Sequence, residues 1–301
     1  MDTRSYILET LYKLFPFSLK GDAELDQADS SVAVSCVINF YGRAYLLRNT
    51  LTCLSQQEFS KESFEVILAE DRGGTKEGKE IVREFGKKLN IKYFTLDQNF
   101  GVMGYARNFA LSKCSGEYVL FLDDDTVILD SDFLEVLVRE FEKTGADAVM
   151  PYGSASFSVI KDKYDYHDPY FPTNRCMAYT RETLGELGGF ISEIIGQEDV
   201  EFTVRLIASQ KKIYRSNMLS YMHPPLIYKN TDKAAAVGYS FARLRQRYPL
   251  IIWLLLLLNG LRYLPLYLLP FNSKFRMQAK FSLGFAKGIW YSITGRKIEY
   301  N

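Results

Sequence analysis

Between residues 32 and 151, short apolar runs alternate with longer segments whose apolar residues recur every three or four positions. The runs at 32–40, 64–69, 91–96, 118–122 and 146–151 read as strands. The periodic segments at 44–56, 75–89, 103–113 and 132–144 read as helices. Short strands alternating with such helices predict β-α units and an α/β domain with a largely parallel sheet. The run YVLFL at 118–122 has no polar position, which marks a strand covered on both faces. Asp123, Asp124 and Asp125 follow at its C-terminal end, the end of a parallel strand where ligands bind in open α/β sheets. Clustered carboxylate oxygens suit Mg²⁺ or Mn²⁺. Such acids also cap turns, so the triplet alone does not decide.

The two flanks follow other patterns. Ile7, Leu8, Leu11, Leu14 and Phe15 keep a helical spacing that Pro16 ends, and 21–31 is polar with only acidic charges. Residues 1–31 therefore read as an appended helix and linker that docks on the chain, on a partner or on a membrane. Residues 32–230 form the α/β domain, which a strand at 212–221 extends, and 231–301 is a helical C-terminal region. That region holds an unbroken apolar run at 250–258, then Asn259, Gly260, Arg262, Pro265 and Pro270 within a stretch that is otherwise apolar to 271. A spanning helix needs about 20 apolar residues, a length reached here only by including Arg262 and a proline. Arg243, Arg245 and Arg247 precede the stretch, and Lys274, Arg276, Lys280 and Lys287 follow it. Both flanks thus carry the basic excess of a cytoplasmic side, which argues against one crossing. The expectation is broken helices lying in, or dipping into, the inner leaflet, with residues 243–287 against anionic headgroups. A buried core or a homo-oligomer interface is the alternative use of the same stretch.

Composition changes this picture little. With 301 residues, 47% hydrophobic and 24% charged, the chain is an ordinary globular one, and a formal charge of +1 speaks against a nucleic-acid binder. Cys36, Cys53, Cys114 and Cys176 lie far apart without a CxxC pair, and no secretory signal is read, so a reduced, cytoplasmic protein is expected. Neither GxGxxG after the first strand nor GxxxxGK[ST] occurs, which removes the usual dinucleotide and P-loop readings.

Six segments in order then carry a resemblance. They are 34–39 followed by LLRNTLTCLSQQ, FEVILAED at 64–71, NFGVMGYARNFAL at 99–111, GEYVLFLDDD at 116–125, ELGGFISE at 186–193 and GQEDVEFTVRL at 196–206. Together they resemble the inverting family 2 glycosyltransferases of GT-A fold, over nearly two thirds of the chain. The resemblance implies a metal-dependent enzyme, using Mn²⁺ or Mg²⁺, that moves a sugar from a nucleotide-sugar donor to a glycan hydroxyl, with a UDP-sugar favoured. It places Asn39, Glu70, Asp71, Gly101, Arg107, Asp123 and Asp124 on the donor, Arg107 as a cation for phosphate. It places Asp125 and Asp123 on the metal, joined by His223, and Gly189 and Phe190 at the acceptor, the ring stacking on a sugar face. Asp199 is the expected general base, with Glu198 as runner-up. His167, in the tyrosine-rich segment 163–171, receives no role. Glu70 departs from the usual pair of aspartates, which leaves the base of the nucleotide open. Combined with the apolar stretch, the resemblance points to a lipid-linked acceptor and a place at the inner face of the plasma membrane.

Two rival readings weaken on the same residues. A sugar-1-phosphate nucleotidyltransferase would want a glycine-rich, basic signature after the first strand, where NFYGRAYLL has one glycine. A non-catalytic relic of the fold would have no use for keeping both DDD and ED.

Overall fold

The computed structural model describes residues 3–25, 32–155, 172–224, 231–268, 273–296 and 298. His167 and its tyrosine-rich segment lie outside them. Seven strands form one sheet in the order β3-β2-β1-β4-β6-β5-β7. They are β1 (Val34–Phe40), β2 (Phe64–Glu70), β3 (Ile91–Thr95), β4 (Tyr118–Asp123), β5 (Ala148–Ala155), β6 (Cys176–Thr180) and β7 (Ile213–His223). Strands β1 to β4 pair in parallel, as do β5 and β7, while β6 runs antiparallel to both β4 and β5.

Helices α1 (Thr3–Leu14), α2 (Ala44–Ser55), α3 (Lys76–Phe85), α4 (Met103–Leu111), α5 (Phe133–Thr144), α6 (Arg181–Glu186) and α7 (Glu198–Ala208) accompany the sheet. Strands β1, β2 and β4 are buried almost throughout, because helices cover both faces and leave no position for a solvated side chain. Alternation sorts their residues between two cores. Cys36, Ile38, Leu120 and Leu122 pack toward α2, α3 and α5, whereas Val37, Val119 and Phe121 meet Phe190 and α7 residues Phe202 and Leu206.

The N-terminal segment docks on this same chain. Main-chain bonds from Gly21, Asp22 and Ala23 reach the carbonyls of Leu187, Phe190 and Gly188, and the Phe17 ring lies 4.8 Å from that of Tyr248. Helices α8 (Asp232–Arg243), α9 (Leu250–Leu261) and α10 (Ser273–Ile293) close a third core. There Val237, Phe241, Tyr248, Ile252, Leu256 and Phe285 surround Ile191 and Ile194. The Ser240 Oγ accepts a hydrogen bond from the Ile195 amide at 3.3 Å, so α8 braces the loop that leads into α7.

Candidate active site

The site lies at the carboxyl end of β4, where Asp123 closes the strand and Asp124 and Asp125 enter the turn. Strands β6 and β5 separate β7 from β4 across the sheet, but a bridge between Met222 and Val127 sets the end of β7, His223, beside the acidic turn, so residues a hundred positions apart form one cluster. Ligand atoms of Asp123, Asp125 and His223 all lie within 4.8 Å of one another. His223 Nε2 stands 3.0 Å from Asp125 Oδ1 and 3.6 Å from Asp123 Oδ2. Its Nδ1 lies 2.6 Å from the Pro224 carbonyl, which can only accept, so Nδ1 carries a proton and Nε2 is the nitrogen turned to the two carboxylates.

Burial opposes charge on His223, but Asp123 and Asp125 outweigh it and raise its pKa. Burial likewise opposes the charge on Asp123, and His223 and Arg107 outweigh it to hold this acid well below the usual carboxylate range. Asp125 Oδ1 is buried without an aligned hydrogen bond, although Nε2 is near it. Two carboxylates and an imidazole lone pair, one oxygen still unsatisfied, fit a divalent metal.

Two neighbours complete the acidic turn. Arg43, which precedes α2, contacts Asp124 through one guanidinium nitrogen and Asp125 Oδ2 through the other at 2.6 Å. Asp124 is 2% exposed, and burial pushes it up to about 7 despite Arg43. Arg107 on α4 donates to Asp123 Oδ1 at 2.8 Å and to the carbonyls of Leu122 and Asn174. Its Nε is 3.6 Å from Glu198, and its plane lies 5.4 Å from the Phe121 ring centroid.

The acids at the start of α7 are unlike each other. Glu198 is buried, and burial together with neighbouring Asp199 raises it to about 7. Asp199 is half-buried, with Oδ2 accepting from Thr173 Oγ1 at 2.9 Å and from the Asn174 amide at 3.3 Å. A partly exposed, oriented carboxylate can take a proton from a hydroxyl, and a buried one cannot reach it.

Several expected donor and acceptor residues stand elsewhere. Arg107 is 2% exposed, its two terminal nitrogens bond inside the fold and its Nε is buried without a hydrogen bond, so in this structure it shows no donor at the surface for a phosphate. Glu70 is fully buried, and its carboxylate accepts from the Thr75 and Tyr93 hydroxyls and from the Gly74 amide at 3.1 Å. It closes the turn before α3 and shows no face to a nucleotide. Phe190 is wholly buried, 5.3 Å from the Phe121 ring and 5.1 Å from that of Phe202, and cannot stack on a sugar there. Gly189 belongs to the same interior: its carbonyl accepts from Arg205 at 2.8 Å, and an added Cβ would fall 2.6 Å from that of Ala23.

Asp71 is only partly buried. Its Oδ2 takes the Gly101 amide at 2.7 Å, where φ is +74°, and its Oδ1 is buried with no partner among the described residues. Asn39 ties to α4 through the Ala106 carbonyl at 2.9 Å and likewise keeps an unpartnered oxygen. Arg43 carries no signal in the sequence for its place beside the acids. A lone basic residue in a loop has no periodicity or spacing to give it away.

A parallel-rich sheet with an acid-histidine cluster at its carboxyl end and a carboxylate at a facing helix start defines a sugar-nucleotide transferase type of site. The model for glycosyl transferase family 2 matches residues 35–194, more than half of the chain, and the chain belongs to that family. Among curated relatives, the O-antigen chain rhamnosyltransferase RfbN of Salmonella typhimurium is 26% identical over 202 residues, which cover 60% of this chain and 62% of that protein. The poly(ribitol-phosphate) beta-N-acetylglucosaminyltransferase TarS of Staphylococcus aureus is 36% identical over 94 residues, 31% of this chain and 16% of that protein. The matched stretches thus span less than two thirds of either relative. Among solved structures, residues 1–349 of S. aureus TarS superpose with a TM-score of 0.60 at 19% identity, covering 88% of this chain and 83% of that one. The mannosyltransferase PcManGT of Pyrobaculum calidifontis, in complex with GDP-Man and Mn²⁺, gives a TM-score of 0.60 at 14% identity, covering 98% and 97%. At these identities the shared property is the GT-A fold.

Proposed function

We propose that the protein is an inverting, metal-dependent glycosyltransferase that moves a hexosyl group from a nucleotide-sugar donor to a hydroxyl of a glycan acceptor. The observation that carries this is the meeting of Asp123, Asp125 and His223 at one end of the sheet, with Asp199 on the helix opposite. Asp123, Asp125 and His223 would hold Mn²⁺ or Mg²⁺, which when bound neutralises charge on a departing diphosphate. Asp71 and Asn39 keep buried oxygens for the nucleoside. Asp199 accepts the acceptor hydroxyl's proton as that oxygen bonds to the anomeric carbon, and the bond from that carbon to the diphosphate breaks with its electron pair on phosphate oxygen. Attack opposite the leaving group inverts the anomeric centre. TarS in complex with UDP-GlcNAc supports a UDP-sugar, and the mannosyltransferase complex makes GDP the alternative. In the test, proton NMR follows slow donor hydrolysis. An α-linked donor first gives the β sugar; first release of the α sugar would contradict inversion, and no metal-dependent release would contradict the enzyme.

The acceptor is proposed to be lipid-linked, and the enzyme to work from the inner face of a membrane. Support comes from the charge and surface of the last third. From 233 to 301 there are eleven basic residues and one acid, a net +10, against twenty-six basic and thirty-five acidic residues before it, a net −9. On α9, Leu250, Ile251, Leu254, Leu255 and Leu258 are exposed at helical spacing while Ile252, Leu256 and Leu257 face the core. Leu264, Tyr267 and Leu268 continue this apolar surface, and only 22% of the apolar stretch Leu250–Leu268 is buried. An exposed apolar patch in a basic field matches an anionic lipid surface. The stretch is long and apolar enough to cross a bilayer by length and composition, although its basic flanks favour lying along it.

A further inference from the structure

Arg175 opens the turn into β6, directly beside the last residue of β4. Its carbonyl accepts from the Asp123 amide at 3.1 Å and from Thr126 Oγ1 at 2.5 Å, so its main chain is tied to the acidic turn. Its side chain is half-buried and, among the described residues, makes no hydrogen bond and no ion pair. The charge is nonetheless close enough to Asp123, His223 and Tyr221 to act on the protonation of all three. A guanidinium drawn partly out of water gives up solvation, and here only the longer-range attraction of Asp123 offsets that, with its N–H donors bonded to nothing among the described residues. Such a group is in place for an anion that arrives later. The position also matters, because the nearest acids are those that fit a divalent metal.

The other arginines of the site divide the work. Arg107 is sealed beneath the acids and committed to Asp123, Asn174 and the side of Glu198. Arg43, with a side chain 49% exposed, is anchored by Asp124 and Asp125 and still presents donors to solvent. Arg43 thus stands beside Asp124 and Asp125, and Arg175 acts on Asp123 of the same turn. Planar guanidinium groups match phosphate oxygens through paired N–H donors.

We propose that Arg175 grips the donor's diphosphate, with Arg43 as the second cation of the clamp. This inference rests on the glycosyltransferase reading, since it takes the anion to be a nucleoside diphosphate. As the anomeric bond breaks, the negative charge that gathers on the leaving phosphate is offset by these cations.

The test measures the increment in affinity due to the diphosphate. Uridine, UDP, guanosine and GDP are titrated by calorimetry, with Mn²⁺ present, into the wild type, Arg175→Ala and Arg175→Lys, with thermal melting of each variant. Removing one charge-assisted contact weakens the bound diphosphate by about ten- to a hundred-fold. The parent nucleoside keeps its affinity, the melting temperature does not move, and Arg175→Lys falls between. The tie from the Arg175 carbonyl to Asp123 is main-chain and survives both substitutions. An unchanged diphosphate-to-nucleoside ratio in Arg175→Ala overturns the clamp alone and leaves the proposed function standing. An equal loss for nucleoside and diphosphate overturns it in favour of a structural role. Unchanged UDP and GDP affinity with a raised acceptor KM overturns it in favour of an anionic group on the acceptor. Wild type that binds none of the four overturns the function reading, and the clamp with it.

Discussion

Arg107 separates a structural role from a ligand role most sharply. Replacing it by Met keeps the length of the side chain and its packing on Phe121 but removes the cation facing Asp123 and Glu198. The Arg107 side chain is 3% exposed and that of Glu198 6%, so solvent does not take over the lost partner. Breaking a buried ion pair from one side costs about 3–5 kcal/mol, and at about 2–3 °C per kcal/mol for a chain of this size the melting temperature falls by about 6–15 °C. Adding Glu198→Gln removes one of the two orphaned charges, so the double variant recovers about 0.5–3 kcal/mol relative to the sum of the singles. Calorimetric melting of the wild type, both single variants and the double variant completes the cycle. An Arg107→Met protein that melts like the wild type while losing only UDP or GDP affinity would refute the reasoning and restore Arg107 as a phosphate ligand.

Three further outcomes follow from the same structure. Asp199→Asn lowers turnover by about 10²–10⁴ while donor affinity stays near wild type, with Glu198→Gln losing far less; the reverse order in steady-state kinetics would make Glu198 the base. The wild type floats with anionic liposomes and a Leu254→Glu, Leu258→Glu variant stays in the dense fraction, both leucines being 40% or more exposed; equal flotation of the two would remove the lipid role from α9. Glu65 is fully buried, and although burial opposes its charge, Lys92, Ser35 and the Ser115 amide hold its pKa below the ordinary value. A depressed carboxylate contributes stability above its unfolded pKa of about 4.3 and loses it as pH falls through the folded value, so Glu65→Gln costs about 1–3 kcal/mol at pH 7 and less at pH 3. A cost that does not shrink on acidification would count against the ionised form.

Much of the architecture was legible because burial writes itself as composition. The unbroken apolar run of β4 announces a strand covered on both faces, β1 and β2 are nearly as apolar, and the acids that end β2 and β4 lie at the carboxyl end where a parallel sheet binds ligands. Strand β6 went unread: it is five residues long, runs against its neighbours and leads straight into α6 at Arg181. At the site, the Asp-Asp-His cluster was legible because motif order and strand ends together locate it. Phe190 and Glu70 were not. An aromatic ring after two glycines reads the same whether it faces a sugar or, as here, Phe121 and Phe202, and a strand-end acid reads the same whether it meets a ribose or Thr75 and Tyr93. The inward turn of Arg107 was hidden for a related reason. Which arginine is buried depends on the packing of α4 beneath the acidic turn, and no local pattern encodes that.

The most direct measurement of the central claim is calorimetric titration of UDP-, GDP- and dTDP-sugars into the wild type, Asp125→Asn and His223→Ala, each with Mn²⁺ and with EDTA. Expected is saturable binding of one donor that requires Mn²⁺ and is lost, or weakened by at least an order of magnitude, in both variants. Binding of that donor with equal strength in EDTA, or unchanged in Asp125→Asn and His223→Ala, would contradict a metal held by Asp123, Asp125 and His223.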